Sequence, residues 1–499
     1  MDFSAVLSAL ENILTPVNLM LIVAGTMIGI VAGALPGFAA SNACAIMLPV
    51  TLTMTPAGAL IFFSSIYIGA MYGGSIPAIL VNTPGTPGAS ATVLDGYPMA
   101  QQGYPDKALG ISLMASCVGT LISTIILIFV IDPVAEIAFK FGPPEMFVIA
   151  MFGLSIISSV VGKEVKKGLL SGFLGLLIAA MVADPARSIP RLTFGFLELY
   201  DTVPFVPAVI GLFAVSELFF MMKKKQIATG NTDNIGNIEQ IIEGIKLVLK
   251  NPFATIKASL LGTLIGAIPG TGSAVATFVS YAEIKRSSKH PEEFGKGSPE
   301  GIIASEAANN GVTGGAFIPM LTLGVPGSST MAIMMAALLL HGVRPGPELM
   351  TQHTSLAYIV MISLFFAAVA MVVLGMLLGK YFAKVVLVPT NILIPVVLSL
   401  CVIGSFAYRS AVFDAYLILI FGVLGYFMKR HEYPAIPLVL GLILGPLAET
   451  NLYRSLQMSG GDISILFNRP ITIFLWAIIF LMVFGRPIYE KYKSSSKTA

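Results

Sequence analysis

The stretch GAIPGTGSAVA, residues 266–276, decides how the whole chain is read. Apolar residues of the kind that cross a bilayer run up to it, break at Pro269 and Gly270, and resume at once behind Thr271, Gly272 and Ser273. Proline lacks an N–H and clashes with the turn before it, and glycine reaches backbone angles that other residues avoid, so the pair ends a helix. A hydroxyl residue directly behind is a preferred N-cap for the next one. The stretch predicts one helix ending and another beginning back to back, inside an apolar region.

The same break recurs. GALPG at 33–37 matches GAIPG at 266–270, and GGSIPAILVNTPG at 73–85 matches GGAFIPMLTLGVPG at 314–327 with one residue inserted near its start. In both copies the Pro of the IP pair and the Pro of the PG pair stand seven positions apart, Pro77 to Pro84 and Pro319 to Pro326. Two motifs kept in the same order mark an internal repeat. Four break points result: PGFAASN (36–42), NTPGTPGAS (82–90), PGTGS (269–273) and VPGSST (325–330).

Composition sets the medium. The 499 residues are 56% hydrophobic and only 11% charged, with mean hydropathy +0.87, which excludes an ordinary soluble globule. Apolar runs near the length that crosses a hydrocarbon core of about 30 Å recur at 17–35, 107–131, 144–161, 166–183, 203–222, 354–379, 411–428 and 470–485. The ten-residue alternation of an outer-membrane barrel is absent, so the runs are helical. An all-α polytopic membrane protein follows, with roughly 10–12 transmembrane segments. The N-terminal MDFSAVLSALEN lacks a positive n-region and a small-residue cleavage site, so the first segment is expected to stay. Net charge is +3, with Lys and Arg gathered at segment ends, which implies no nucleic-acid partner. Cys44, Cys117 and Cys401 are far apart in apolar stretches and read as small buried residues.

The long polar interruption from KKKQIATGNTDN onward divides the chain. The expected organisation is a first transmembrane repeat at 1–222, a polar cytoplasmic linker at 223–251 with an amphipathic helix at 238–250, a second repeat at 252–450, and an extra C-terminal helix and cytoplasmic tail at 451–499. Loop charge gives an orientation. With Lys163, Lys166, Lys167, Lys223–Lys225, Lys380, Lys384, Lys429, Arg430, Arg486, Lys491 and Lys493 inside, the helix at 107 starts inside and its counterpart at 354 starts outside. The repeats are therefore expected to be inverted, with discontinuous helices and re-entrant half-helices around a central site.

Irregular backbone at membrane depth must be buried in protein or line a wet cavity. A helix N-terminus offers free N–H groups and about half a positive charge, so four converging ends would make an anion site. The break loops hold no Lys or Arg but many neutral donors. The candidate substrate-binding residues are Pro36, Gly37, Ser41 and Asn42; Asn82, Thr83, Pro84, Gly85, Thr86 and Gly88; Pro269, Gly270, Thr271, Gly272 and Ser273; and Pro326, Gly327, Ser328 and Ser329. Each N-terminus contributes about 1 kcal/mol, up to about 2 when partly buried, while desolvating one carboxylate costs several. Bound Na⁺ or H⁺, held on the same loops, is expected to neutralise the anion. The competing reading is that Pro and Gly only kink helices or let them pack closely; paired breaks with hydroxyls behind each argue against it.

PEGIIASEAANNG, 299–311, places Glu306, Asn309 and Asn310 just before the second GG motif. Intramembrane polar groups are functional candidates, and Asn309 and Asn310 join the candidate set, while Glu306 stays open between function and a solvated helix start. Asp132, Asp184, Glu217 and Asp414 lie near segment ends and are expected to reach the interface. His290, His341, His353 and His431 are scattered, so no metal site is expected. Enzyme signatures fail: PGTGS lacks the third Gly of GxGxxG, and GKG at 295–297 lacks the Walker spacing.

With GALPGF, NTPGTPGA, PEGIIASEAANN and LGVPGS over nearly its whole length, the sequence resembles the TctA family, the large membrane subunits of tripartite tricarboxylate transporters. It departs where NTPGTP in the first copy becomes TLGVPG in the second, so the two half-sites need not be equivalent. The resemblance implies a secondary transporter of citrate-like carboxylates in the bacterial inner membrane. It also implies cation coupling and two partners besides the lipid bilayer: a small four-helix membrane subunit (TctB-like) and a periplasmic solute-binding protein (TctC-like). A stand-alone cation-coupled symporter for another small organic anion is the alternative.

Overall fold

The structure, a computed structural model, describes residues 3–138, 140–160, 165–184, 189–200, 203–222, 235–385 and 390–480. Its regular structure is helical apart from one antiparallel pair of two-residue strands, Ala183–Asp184 with Ile189–Pro190. The first helices in chain order are α1 (Phe3–Ile13), α2 (Pro16–Gly33), α3 (Ala40–Met47), α4 (Pro56–Gly73), α5 (Ser75–Leu80), α6 (Val93–Gln101) and α7 (Pro105–Ala138). Then come α8 (Pro143–Val160), α9 (Val165–Val182), α10 (Phe205–Val209) and, after a π-helical turn at Ile210–Val215, α11 (Ser216–Met221).

The second stretch holds α12 (Ile238–Lys250), α13 (Pro252–Gly266), α14 (Gly272–Ser287), α15 (Pro299–Leu323), α16 (Ser329–Leu340), α17 (Pro347–Gln352), α18 (Thr354–Val385) and α19 (Thr390–Arg409). It closes with α20 (Val412–Arg430), α21 (Ala435–Met458) and α22 (Pro470–Phe480). The helix α12 covers the residues that the amphipathic pattern picks out. Asn237 caps it by accepting from the N–H groups of Glu239 and Gln240, and Ile241, Gly244 and Val248 are its buried face.

Two compact units divide the chain: Met1–Ala135 with Phe213–Ser410, and Glu136–Leu212 with Ala411–Ala499. Both stretches that carry the doubled motif lie in the first. In the second, α21 packs on α8 and α9 around Ala150, Leu154, Leu440, Leu444 and Ala448. The buried Glu145 there is paired with Arg469 at 3.0 Å, as a carboxylate held away from water requires.

Among the described residues, six helices are long and apolar enough to cross a membrane: Pro16–Gly33, Pro56–Leu80, Pro105–Ile137, Thr354–Phe382, Val412–Arg430 and Ala435–Met458. The sequence leads one to expect roughly 10–12 spans. The remaining apolar helices are shorter, among them Ala40–Thr53, Pro252–Gly266 and Ser329–Leu340, which abut the breaks. Pro and Gly cut these runs to less than the length that spans hydrocarbon. Lys163, Lys223–Lys225, Arg486, Lys491, Lys493 and the end of the 470–485 run lie outside the described residues.

Within the first unit, α2 packs on α4 and α13 on α15 through glycines on both helices. A Cβ built on Gly29 or Gly33 would fall 2.2 or 2.3 Å from the carbonyl oxygen of Ile66 or Ala70, and one on Gly262 or Gly266 would fall 2.3 or 2.6 Å from that of Ala308 or Val312. The facing glycines match too: Gly69 and Gly73 meet Thr26 and Ile30, and Gly311 and Gly315 meet Ser259 and Thr263. Small residues let helix backbones approach this closely. These contacts correct the motif alignment. Gly73 corresponds to Gly315, not Gly314, and no inserted residue is needed, because packing register rather than identity of neighbours sets the match.

Candidate functional site

The four breaks meet in pairs, one pair per copy. Gly37, at φ +84, donates its N–H to Gly85 O at 3.2 Å, and Gly270, at φ +82, donates to Gly327 O at 2.8 Å. Each pair ties the end of one glycine-packed helix to the PG turn that follows its partner. An L side chain is strained at these positive φ values, so glycine is favoured at each. The first turn is closed further by Gly85 N–H donating to Gly74 O at 3.0 Å.

The expected four capped half-helices are only partly found. Ser328 caps α16, accepting from Met331 N–H at 3.3 Å. Thr271 precedes α14 with a helical backbone, so its hydroxyl cannot reach forward and instead donates back to Ile265 O at 2.7 Å. Before α3 the capping position is Ala39, which has no side-chain acceptor, and Ser41 and Asn42 fall within the helix. Behind NTPGTPG stands a 3₁₀ turn at Pro87–Ser90, not an α-helix, since Pro84 and Pro87 crowd the turn; α6 begins only at Val93. Three breaks open α-helices and the fourth opens a single tight turn.

The candidate residues separate accordingly. Gly88 touches the second copy: a Cβ there would lie 1.9 Å from Asn309 Oδ1 and 2.7 Å from Ser273 Oγ. Asn309 is fully buried, its amide N–H donates to Met71 O at 3.0 Å, and its Oδ1 has no partner. Thr86 Oγ1 is likewise buried without one. Asn310 donates to Thr120 Oγ1 at 3.0 Å, leaving its Oδ1 unpaired. Ser41 bonds Asn42, and Asn42 reaches Phe213 O at 3.3 Å. Asn82, at φ +56, and Thr83 are exposed and bond no other break. Pro36, Pro269, Pro326 and Gly327 are buried in their turns, while Gly272 and Ser329 are half-buried.

Glu306 is fully buried, not on a solvated helix start. Thr92 and Ser116 hydroxyls donate to its two oxygens, Ser116 at 3.0 Å. Ser116 belongs to a row of hydroxyls on α7, with Ser112, Thr120 and Thr124, all buried. The four-residue spacing of that row in ISLMASCVGTLIST was legible, but its partner α15 was not. Asp95 was also missed: its Oδ1 accepts from the N–H groups of Gly295, Gly297 and Ser298 at 2.8, 2.9 and 2.8 Å, and its Oδ2 from Tyr281 hydroxyl at 2.7 Å.

Of the end-of-segment acids, Asp414 and Glu217 are buried and Asp132 is half-buried. Asp132 lies inside α7 with Tyr358 hydroxyl at 3.1 Å, Asp414 is fully buried, and Glu217 is 8% exposed with Oε1 beside Gly37. Partners within the protein replace water for them; the side chain of Asp184 lies outside the described residues. His290 stands with Glu292 and Glu293 in an exposed group, ligand atoms within 4.8 Å of one another. A cavity of about 200 Å³, lined by Tyr72, Asp106, Gly236 and Lys380 among others, includes none of the break residues.

A model of the tripartite tricarboxylate transporter TctA family matches residues 19–440. The chain belongs to this family. It is 35% identical over 468 residues to an uncharacterized 52.8 kDa protein in the TAR-I ttuC' 3' region of Agrobacterium vitis, covering 94% of this chain and 93% of that one. A second Agrobacterium vitis protein, in the TAR-II ttuC' 3' region, is 37% identical over 210 residues, 42% of this chain and 87% of the relative. No solved structure matches the chain. As a TctA chain with six long apolar helices among the described residues, it is a multi-pass membrane protein and a tricarboxylate transporter subunit.

Proposed function

We propose that this TctA chain is the large transmembrane subunit of a secondary transporter that takes small carboxylates, citrate-like tricarboxylates foremost, from a periplasmic binding protein and moves them inward on a Na⁺ or H⁺ gradient. A small four-helix membrane subunit completes the assembly in the bacterial inner membrane, with the C-terminus in the cytoplasm. The fold that serves this is a pair of inverted repeats whose broken helices re-enter to a shared site.

One observation carries the reading. Paired PG turns, linked Gly37 to Gly85 and Gly270 to Gly327, close the break in each copy, and Gly88 behind the first lies against Asn309 and Ser273 of the second, with Thr86 Oγ1 and Asn309 Oδ1 buried and without hydrogen-bond partners. The break loops themselves contain no basic side chain. Backbone dipoles and hydroxyls hold an anion without fixing it, which a carrier needs in order to release its substrate. Dipoles of about 1 kcal/mol each do not offset the several kcal/mol of carboxylate desolvation, which supports a co-transported cation.

The test is uptake of radiolabelled di- and tricarboxylates into proteoliposomes under imposed Na⁺ or pH gradients, with and without the binding protein. Gradient-dependent uptake raised by the binding protein is expected. Uptake indifferent to both gradients removes the coupling, and no uptake of any carboxylate removes the reading. Cysteines placed at Lys107 and Thr354 should react with impermeant reagents from opposite sides; labelling from one side removes the inversion.

A further inference from the structure

We propose that Glu306 is the proton-carrying group of the coupling step, an inference that rests on the transporter reading above. Its surroundings are a hydroxyl cluster drawn from four helices or turns. Thr92 and Ser116 donate to its two oxygens, and the Ser112 hydroxyl stands near them. Ser112 lies 2.6 Å from Ser75 Oγ, and Thr92 lies 3.0 Å from Ser305 Oγ. The side chain is fully buried.

Among the described residues, no basic side chain bonds this carboxyl. The titratable groups on the elements packed around it are Tyr67 and Tyr72 on α4, Asp95 and Tyr97 on α6, Asp106, Lys107, Cys117, Asp132 and Glu136 on α7, Lys257 on α13, Tyr281, Glu283, Lys285 and Arg286 on α14, and its own helix's Glu300; Lys107 is paired with Glu243 at 2.7 Å and Arg286 with Glu283 at 2.9 Å. Lys257 is held by Glu283 at 2.8 Å, and Asp95 and Asp106 are satisfied by backbone N–H groups. An ionised carboxylate buried without a cation costs several kcal/mol, so a positive charge must arrive when it cannot be hydrated. A proton does this with one O–H bond and no new ligands.

The cluster suits loading and unloading. A hydroxyl both donates and accepts, so Thr92, Ser112 and Ser116 can turn their O–H groups toward the carboxylate and away from the acid, satisfying both forms. An arginine or lysine in their place would satisfy only the ionised form. Thr92 stands two residues beyond the NTPGTPGAS break, and Asn309, one turn along α15 from Glu306, touches Gly88 within it. Gain or loss of the proton therefore re-aims a hydroxyl attached to the same loop that would hold the anion.

The test uses the full-length chain, titrated across the neutral range by infrared difference spectroscopy and reconstituted for assays with radiolabelled citrate. Two activities are compared: counterflow exchange without a gradient, and accumulation driven by an imposed pH gradient. The wild type should show a pH-dependent carboxyl band that Glu306→Gln lacks, and the variant should lose pH-driven accumulation by about tenfold or more while keeping counterflow within about threefold. Ser116→Ala and Thr92→Val, which keep the carboxyl, should shift the titration of the band and the pH profile; they also serve if Glu306→Gln does not fold. A band unchanged in Glu306→Gln, pH-driven accumulation equal to wild type, or titrations unmoved in Ser116→Ala and Thr92→Val overturns the proposal, as does accumulation that follows Na⁺ at fixed pH in both chains. A wild type that exchanges no citrate counts against the transport reading instead, and the infrared arm still decides whether Glu306 takes up a proton.

Discussion

The two copies of the break motif share a backbone and differ in chemistry. Gly37 bonds Gly85 as Gly270 bonds Gly327, and the glycines of α2 and α4 meet in the register of those of α13 and α15. At matching positions, however, Tyr67 stands where the second copy has Asn309, Ser64 where it has Glu306, and Gly88 where it has Thr330. Tyr67 hydroxyl lies near Ser328, and Asn309 touches Gly88, so each long helix approaches the other copy's PG turn. The lesson is a division of labour: main-chain contacts fix the scaffold twice, and side chains at equivalent places are free to specialise.

The largest expected difference between the copies lies at the PG glycines. A Cβ on Gly85 would fall 1.9 Å from Gly33 O, whereas one on Gly327 would meet nothing nearer than 3.5 Å. Gly85→Ala should therefore destabilise the detergent-purified protein by about 3 kcal/mol or prevent folding, and Gly327→Ala should stay within about 0.5 kcal/mol. Equal melting temperatures for the two variants would break the claim that the turns are packed differently.

A smaller effect is expected across the copies. Asn309→Ala leaves Met71 O unpaired and empties the space beside Gly88, and should lower carboxylate uptake by about tenfold. Tyr67→Phe removes only a hydroxyl near Ser328 and should lower uptake by about twofold. The reverse ranking would place the anion nearer the second PG turn than the first.

The smallest concerns the caps. Ser328→Ala deletes the one side-chain cap found at a break and should cost about 1 kcal/mol of stability. Thr271→Ala, whose hydroxyl only bonds back to carbonyls, should cost about half a kcal/mol. Thermal melts of the two variants side by side decide whether the hydroxyls behind the breaks act as caps at all.

Much of this was legible beforehand because it depends on local chemistry. A Pro directly followed by Gly ends the helix before it, so all four breaks were located, and the amphipathic spacing placed α12. Asn309 and Asn310 stood out as amides in an apolar run. Glu306 stayed undecided because its partners, Thr92 and Ser116, are about two hundred positions away along the chain, with separations of 214 and 190. Glu217 was misjudged for the same reason: nothing near it in sequence announces Gly37.

Taken alone, the amino-acid order determined a helical membrane chain, its doubled motif and the points where its helices stop, since hydropathy, missing N–H groups and backbone freedom are properties of residues and their neighbours. Which break pairs with which, the register of the glycine seams, and the hydroxyl surroundings of Glu306 were decided only by tertiary packing. Those depend on which carbonyl faces which glycine once the helices lie side by side, a relation between distant segments that no local pattern encodes.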